Sequence, residues 1–205
     1  MICATLSRTY KALVGTALLW LVASCPLLAQ RGALTAPRNV AQLAQQAATI
    51  VRGQVMSAHV EPHPQLTNLS TVVVTLRVEK NLKGTATSAL TFRQFIWDIR
   101  DKYDAAGYRK GQELLLLLNK TSEYGLTSPA GVEQGRFGIS RDAKGNLTAV
   151  NGHGNVGLFA NFAEQMKRPG LKLSPRASAL VARHRQGPVP LPELEEIIKQ
   201  FAGAR

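Results

Sequence analysis

Thr71-Val72-Val73-Val74-Thr75-Leu76-Arg77-Val78-Glu79 is the stretch that decides the fold. Val72, Val74, Leu76 and Val78 alternate with Thr71, Val73, Thr75, Arg77 and Glu79, so a side-chain period of two turns one apolar face inward and leaves the other largely wet. This is a half-buried β-strand, and such a strand needs neighbours. Upstream, the run from Ile50 to Val60 has the β-branched content of a first strand, with Gly53 where a bulge or sharp bend fits. Pro62, Pro64 and Asn68 interrupt it before the second strand begins. Downstream, Asn81-Leu82-Lys83-Gly84 forms a turn, and a shorter strand over 90–95 carries Phe92 on one face and Phe95 on the other. Leu114 to Leu118 is a continuous apolar run, the pattern of a strand covered on both faces. A hairpin follows, 136–140 and 147–150, joined by Asp142-Ala143-Lys144-Gly145-Asn146.

Helices flank this β-rich centre. Residues 35–48 read as a short helix with Thr35 as N-cap, Pro37 in the first turn and a narrow stripe of Val40, Leu43, Ala44 and Ala47. Gly152, Gly154 and Gly157 form a turn-rich tether, and 175–185 reads as a loose helix within a basic linker. The last segment is a better-marked helix. Pro192 sits in its first turn, Glu193, Glu195 and Glu196 lie near the positive end of its dipole, and Leu194, Ile197, Ile198 and Phe201 make a stripe that should dock on the barrel or on a partner. Five or six short strands with a bend in the first suit a small, mainly β, OB-like antiparallel barrel better than a flat sheet with bare edges. The expected organisation is a leader over 1–29, a barrel over 30–160 and a basic linker with a helical extension over 161–205.

The leader reading rests on Arg8 and Lys11 followed by an uncharged apolar stretch over 12–24, too short to span a bilayer comfortably. Ala29 before Gln30 is a suitable cleavage junction for secretion or periplasmic release. Val22-Ala23-Ser24-Cys25 leaves a second processing route open, lipidation of the Cys25 thiol, although Pro26 directly after it argues the other way. Cys3 and Cys25 are the only cysteines, so a chain beginning at Gln30 has no thiol for a disulfide, a nucleophile or a cysteine zinc site. The whole chain of 205 residues carries +12; without Arg8 and Lys11, 23 basic residues face 13 acids, a net +10. A basic exported protein meets other proteins, anionic polysaccharides and membrane surfaces before it meets nucleic acid.

The succession Ala48-Thr49-Ile50-Val51-Arg52-Gly53-Gln54-Val55, then Val72 to Val78, then Asn81-Leu82-Lys83-Gly84, then Lys110-Gly111-Gln112-Glu113 and Leu114 to Leu118 resembles the barrel core of netrin-like modules, the group that includes the tissue inhibitors of metalloproteinases. The resemblance covers about residues 48–118. It implies an OB-type barrel in an exported protein that binds other macromolecules. The inhibitors of that group hold a protease zinc through an N-terminal cysteine and are stapled by disulfides. A chain from Gln30 has neither, so that inhibitory chemistry does not carry over to any residue here, and a scaffold alone does not fix function.

Candidate site residues fall in three places. The polar insertion 96–112 sets Trp97, Tyr103 and Tyr108 among charged residues that include Arg109 and Lys110; these rings either form a stacking platform or fold the loop back onto the barrel. A basic stretch holds Lys167, Arg168, Lys172, Arg176, Arg183 and Arg185, balanced nearby only by Glu164. His59, Glu61 and His63 carry metal-ligating groups, and alternate strand positions place His59 and Glu61 on one face. Nothing marks a further ligand, so an exposed loop is preferred and no cofactor is expected. Ser128 or Ser140 with His153 and Asp142 assembles a hydrolytic set only on paper, since no nucleophile elbow or phosphate loop occurs. Gly152-x-Gly154-x-x-Gly157 fits a dinucleotide fingerprint by spacing alone and is explained by turns.

The function expected is therefore an exported, non-enzymatic binding module for a protein or an anionic surface polymer. Two alternatives stand beside it: a metal-dependent or hydrolytic enzyme at the barrel mouth, and a nucleic-acid-binding OB protein.

Overall fold

The alternating stretch builds β2, Ser70–Lys83, which pairs antiparallel with an equally long β1, Thr49–Pro62. The computed structural model describes residues 36–86, 88–166 and 170–203. The leader with Cys3, Cys25 and the Ala29 junction lies outside the described residues, as do Thr35, Lys167 and Arg168. The β1–β2 register slips at three points, one of them between Arg52 and Gly53. A Cβ placed on Gly53 would lie 2.3 Å from the Arg77 carbonyl oxygen, so only glycine lets the two strands approach where the bulge bends them.

Five further strands complete a sheet of seven among the described residues: β3 (Ala89–Phe95), β4 (Glu113–Leu118), β5 (Arg136–Arg141), β6 (Leu147–Asn151) and the two-residue β7 (Val189–Pro190). Their order is β3-β2-β1-β4-β5-β6-β7, and every ladder is antiparallel. The sheet is not closed, because β3 and β7 stand at its two ends. It is nevertheless curled. The loop after β4 reaches past β1 and β2 to the free edge of β3, where Leu126 bridges Arg93 and the Thr127 N–H donates to the Arg93 carbonyl at 2.8 Å.

Curling divides the apolar residues into two cores. The inner one gathers Val51, Val55, Val72, Val74, Leu76, Phe92, Ile96, Tyr108, Leu114, Leu116 and Leu118. The outer one packs helices on the opposite face, over Ile50, Leu115, Leu117, Phe137 and Ala149. β4 is shared: its five leucines alternate between the cores and none is more than 2% exposed, as the unbroken apolar run predicts. Each such leucine contributes roughly 1.5–3 kcal/mol of burial free energy, so β4 is the strand the fold can least lose.

Among the described residues there are four helices, two of them opened by a side-chain cap. α1, Val40–Gln46, starts later than the sequence pattern suggests, because Asn39 rather than Thr35 caps it. The Asn39 side chain accepts from the Gln42 N–H at 3.0 Å while the Gln42 side chain accepts from the Asn39 N–H at 2.9 Å, a reciprocal box that leaves Pro37 outside the helix. After the short α2, Phe162–Gln165, α3 spans Pro175–Arg183 behind an Ser174 cap. α4, Leu191–Ala202, buries Leu194, Ile197, Ile198 and Phe201 completely in the outer core, against α1 and the sheet. One of its acids is buried as well. Glu195, 3% exposed, meets Arg52 at 3.0 Å and also pairs with Lys80, so it ties α4 to β1 and β2 and does more than complement the helix dipole.

Candidate functional site: an aromatic loop with a buried root

Loop 96–112 leaves β3 at Ile96, which is buried, and rejoins β1 at its far end, where the Gly111 N–H donates to the Val55 carbonyl at 2.8 Å and the Val55 N–H to the Gln112 carbonyl at 2.9 Å. Between these points it makes two 3-10 turns, Ile99–Lys102 and Ala105–Gly107. Asp98 opens the first, accepting from the Arg100 N–H and pairing with its guanidinium; Asp104 opens the second, accepting from the Gly107 N–H.

The second turn is strained. Ala105, Ala106 and Gly107 have φ of 51°, 54° and 76°, three consecutive residues in the left-handed region, of which only the glycine enters without steric cost. Such strain, about 1–2 kcal/mol per alanine, persists only where neighbours over-determine it. Arg136 of β5 supplies the constraint. Its Nη1 donates to the Ala106 carbonyl at 2.6 Å, its Nη2 pairs with Glu133 at 3.0 Å, and its guanidinium carbon lies 4.7 Å from the centre of the Tyr108 ring. A Cβ on Gly107 would sit 3.1 Å from Arg136 Nη2, so the clamp also needs a small residue there.

Tyr108 is the plug of this root. It is 2% exposed, meets Phe92 edge-on at 5.8 Å, and its hydroxyl donates to Gln94 Oε1 at 2.8 Å. Burial pushes its phenol up to about 12, with the Arg136 charge acting in the opposite sense. The tip behaves otherwise. Trp97, Ile99 and Tyr103 are 63%, 68% and 89% exposed, and Trp97 makes an edge contact with Phe95 at 4.8 Å. Arg109 and Lys110 are exposed where the loop returns to the sheet.

The sequence-predicted residues are thus divided. Trp97, Tyr103, Arg109 and Lys110 face solvent on one loop, Tyr108 faces the inner core, and Lys172 is exposed before α3. His59 and Glu61 share a face, 3.1 Å apart, and the Glu61 carboxyl is held below its usual range chiefly by a hydrogen bond from Arg93 at 2.5 Å. His63 points elsewhere: Nε2 meets the Tyr124 carbonyl at 2.7 Å and Nδ1 accepts from the Gln65 and Leu66 N–H groups, so both ring nitrogens hold loops together. Among the described residues no three His, Cys, Asp or Glu side chains converge to hold a metal ion. Asp142 braces its own hairpin turn, accepting from the Lys144 and Asn146 N–H groups, and Ser140 bonds Thr148. Beside the open edge of β3 the curl leaves a slot of about 250 Å³, whose polar lining is Thr49, Thr91, Arg93, Asn119, Thr121 and Thr127.

Ile99, Arg136, Gln94 and the left-handed alanines escaped the sequence reading. No residue pattern signals a left-handed alanine, and Arg136 looks there like any strand arginine.

Compared with family models, curated proteins and solved structures, the chain matches none.

Proposed function

We propose that this chain is an exported, non-enzymatic binding module that takes a protein partner on the tip of loop 96–112. The observation that carries the reading is the exposure of Trp97, Ile99 and Tyr103 on a loop whose base is clamped in a strained conformation. Large apolar side chains grouped in water mark interaction surfaces. A fixed base lowers the entropy lost when they are covered. Trp and Tyr are the residues that dominate protein interfaces, and Ile99, with neither a stacking face nor a polar end, suits an apolar pocket in a protein better than a sugar or a base. The bulged β1, the glycine before β4 and the curl around the inner core support a netrin-like, OB-type scaffold, with the β3–loop bridge standing where a closed barrel has a ladder.

Photo-cross-linking tests this in the cells that produce the protein. A benzophenone amino acid at position 99 is expected to capture a discrete protein, and one at Lys144, on the distant β5–β6 turn, is not. The same capture from both positions, or none from position 99, overturns the reading.

A further inference from the structure

We infer that the groove between α3 and the start of α4 docks the protein on an anionic phospholipid surface. The groove, of about 390 Å³, has Ala179, Leu180 and Pro190 among its apolar lining and Arg176 and Arg183 along it. The two arginines stand seven positions apart on α3, two helical turns and about 10 Å along one face. Both are exposed, and among the described residues neither forms an ion pair.

The helix carrying them is tied to α4 at its start and capped by its own chain at its end. Glu196 of α4 accepts from the Ser174 N–H at 2.6 Å and from its hydroxyl at 2.8 Å, and at the other end Arg185 donates to the Ala182 and His184 carbonyls, each at 3.0 Å. Exposed Lys172 and Arg185 extend the positive charge beyond both ends of the helix. Of the acids, Glu196 is engaged by Ser174, Glu164 is exposed on α2, and Glu193 lines the groove itself. In the groove itself, Arg176 and Arg183 therefore face one carboxylate, Glu193.

Charge complementarity selects an anionic partner, and the floor selects among anions. A row of cations over an apolar strip is how interfacial helices meet phosphate head groups with acyl chains beneath, whereas a hydrated polysaccharide or nucleic acid uses the charges and gains less from the floor. This surface is separate from loop 96–112 and stands or falls without it.

Vesicle co-sedimentation decides the matter with the full chain. Binding is expected to phosphatidylcholine vesicles containing phosphatidylglycerol, not to phosphatidylcholine alone, and to weaken as salt rises. The exposed double variant Arg176→Gln/Arg183→Gln should bind about thirty-fold more weakly. Ala179→Leu, which enlarges the apolar floor, should bind more tightly, and Trp97→Ala should bind as the parent does. Retention of full vesicle binding by the double variant overturns the proposal. So does soluble heparin binding more tightly than the vesicles, with Ala179→Leu changing neither.

Discussion

Trp97 and Tyr108 belong to one loop, eleven residues apart, and meet opposite fates. At the root, Tyr108 finds a hydroxyl partner in Gln94, an edge contact in Phe92 and a cation in Arg136, and it disappears into the inner core. At the tip, Trp97 meets Phe95 edge-on and stays mostly in water, and Tyr103 is almost wholly so. The difference teaches that aromatic content alone does not mark a binding surface. A ring becomes structural when other strands deliver partners for both its face and its polar end, and it stays available for recognition when they do not.

The largest effect expected follows from removing the plug. Tyr108→Ala should cost about 3–5 kcal/mol in denaturant unfolding, the usual range for emptying a buried aromatic site. Tyr108→Phe should cost about 1–2 kcal/mol, since it leaves Gln94 Oε1 without its donor in a dry site. A loss below 1 kcal/mol for Tyr108→Ala would merge root and tip into one class.

Alkaline pH attacks the same residue. Its folded phenol loses its proton near 12 against an ordinary value of 10.0. From pH 10 upward the unfolded chain gives up a proton that the folded chain keeps, so stability present below pH 10 falls as the pH rises toward 12. The loss is on the order of 2–3 kcal/mol. Comparing unfolding free energies of the parent and Tyr108→Phe across that window should show a steeper decline in the parent, and identical slopes would contradict the burial argument.

Smaller changes probe the strained turn. Gly107→Ala adds a Cβ 3.1 Å from Arg136 Nη2 at a φ of 76° and should destabilise by about 1–2 kcal/mol. Ala105→Gly relieves a left-handed alanine and should stabilise by up to about 1 kcal/mol in thermal melts. If both glycine and alanine are tolerated equally at both positions, the turn is not over-determined.

Much of this fold was legible because side-chain period speaks directly about faces. The alternation around Val74, the unbroken leucines of β4 and the stripe of α4 each placed the right residues in a core, and Gly53 marked the bend. What stayed hidden depends on partners far away in sequence. Thr35 and Asn39 are both good caps by type, and Gln42 decides between them only through reciprocal bonds. Glu195 reads as a dipole residue until Arg52 and Lys80 arrive from the sheet. The loop was recognisable as aromatic and polar, yet no periodicity inside it told Tyr108 from Tyr103, since Gln94 and Arg136 come from two other strands.

The smallest stability effect belongs to the tip and serves as the most direct test. Ile99→Ser/Tyr103→Ala should unfold within about 0.5 kcal/mol of the parent, because both side chains already stand in water. Measured beside this, cross-linking from position 97 to a protein partner should be strong in the parent and lost in the double variant. Undiminished adduct in the variant, or an unfolding free energy that drops along with it, would contradict the division of this loop into a buried root that holds and an exposed tip that binds.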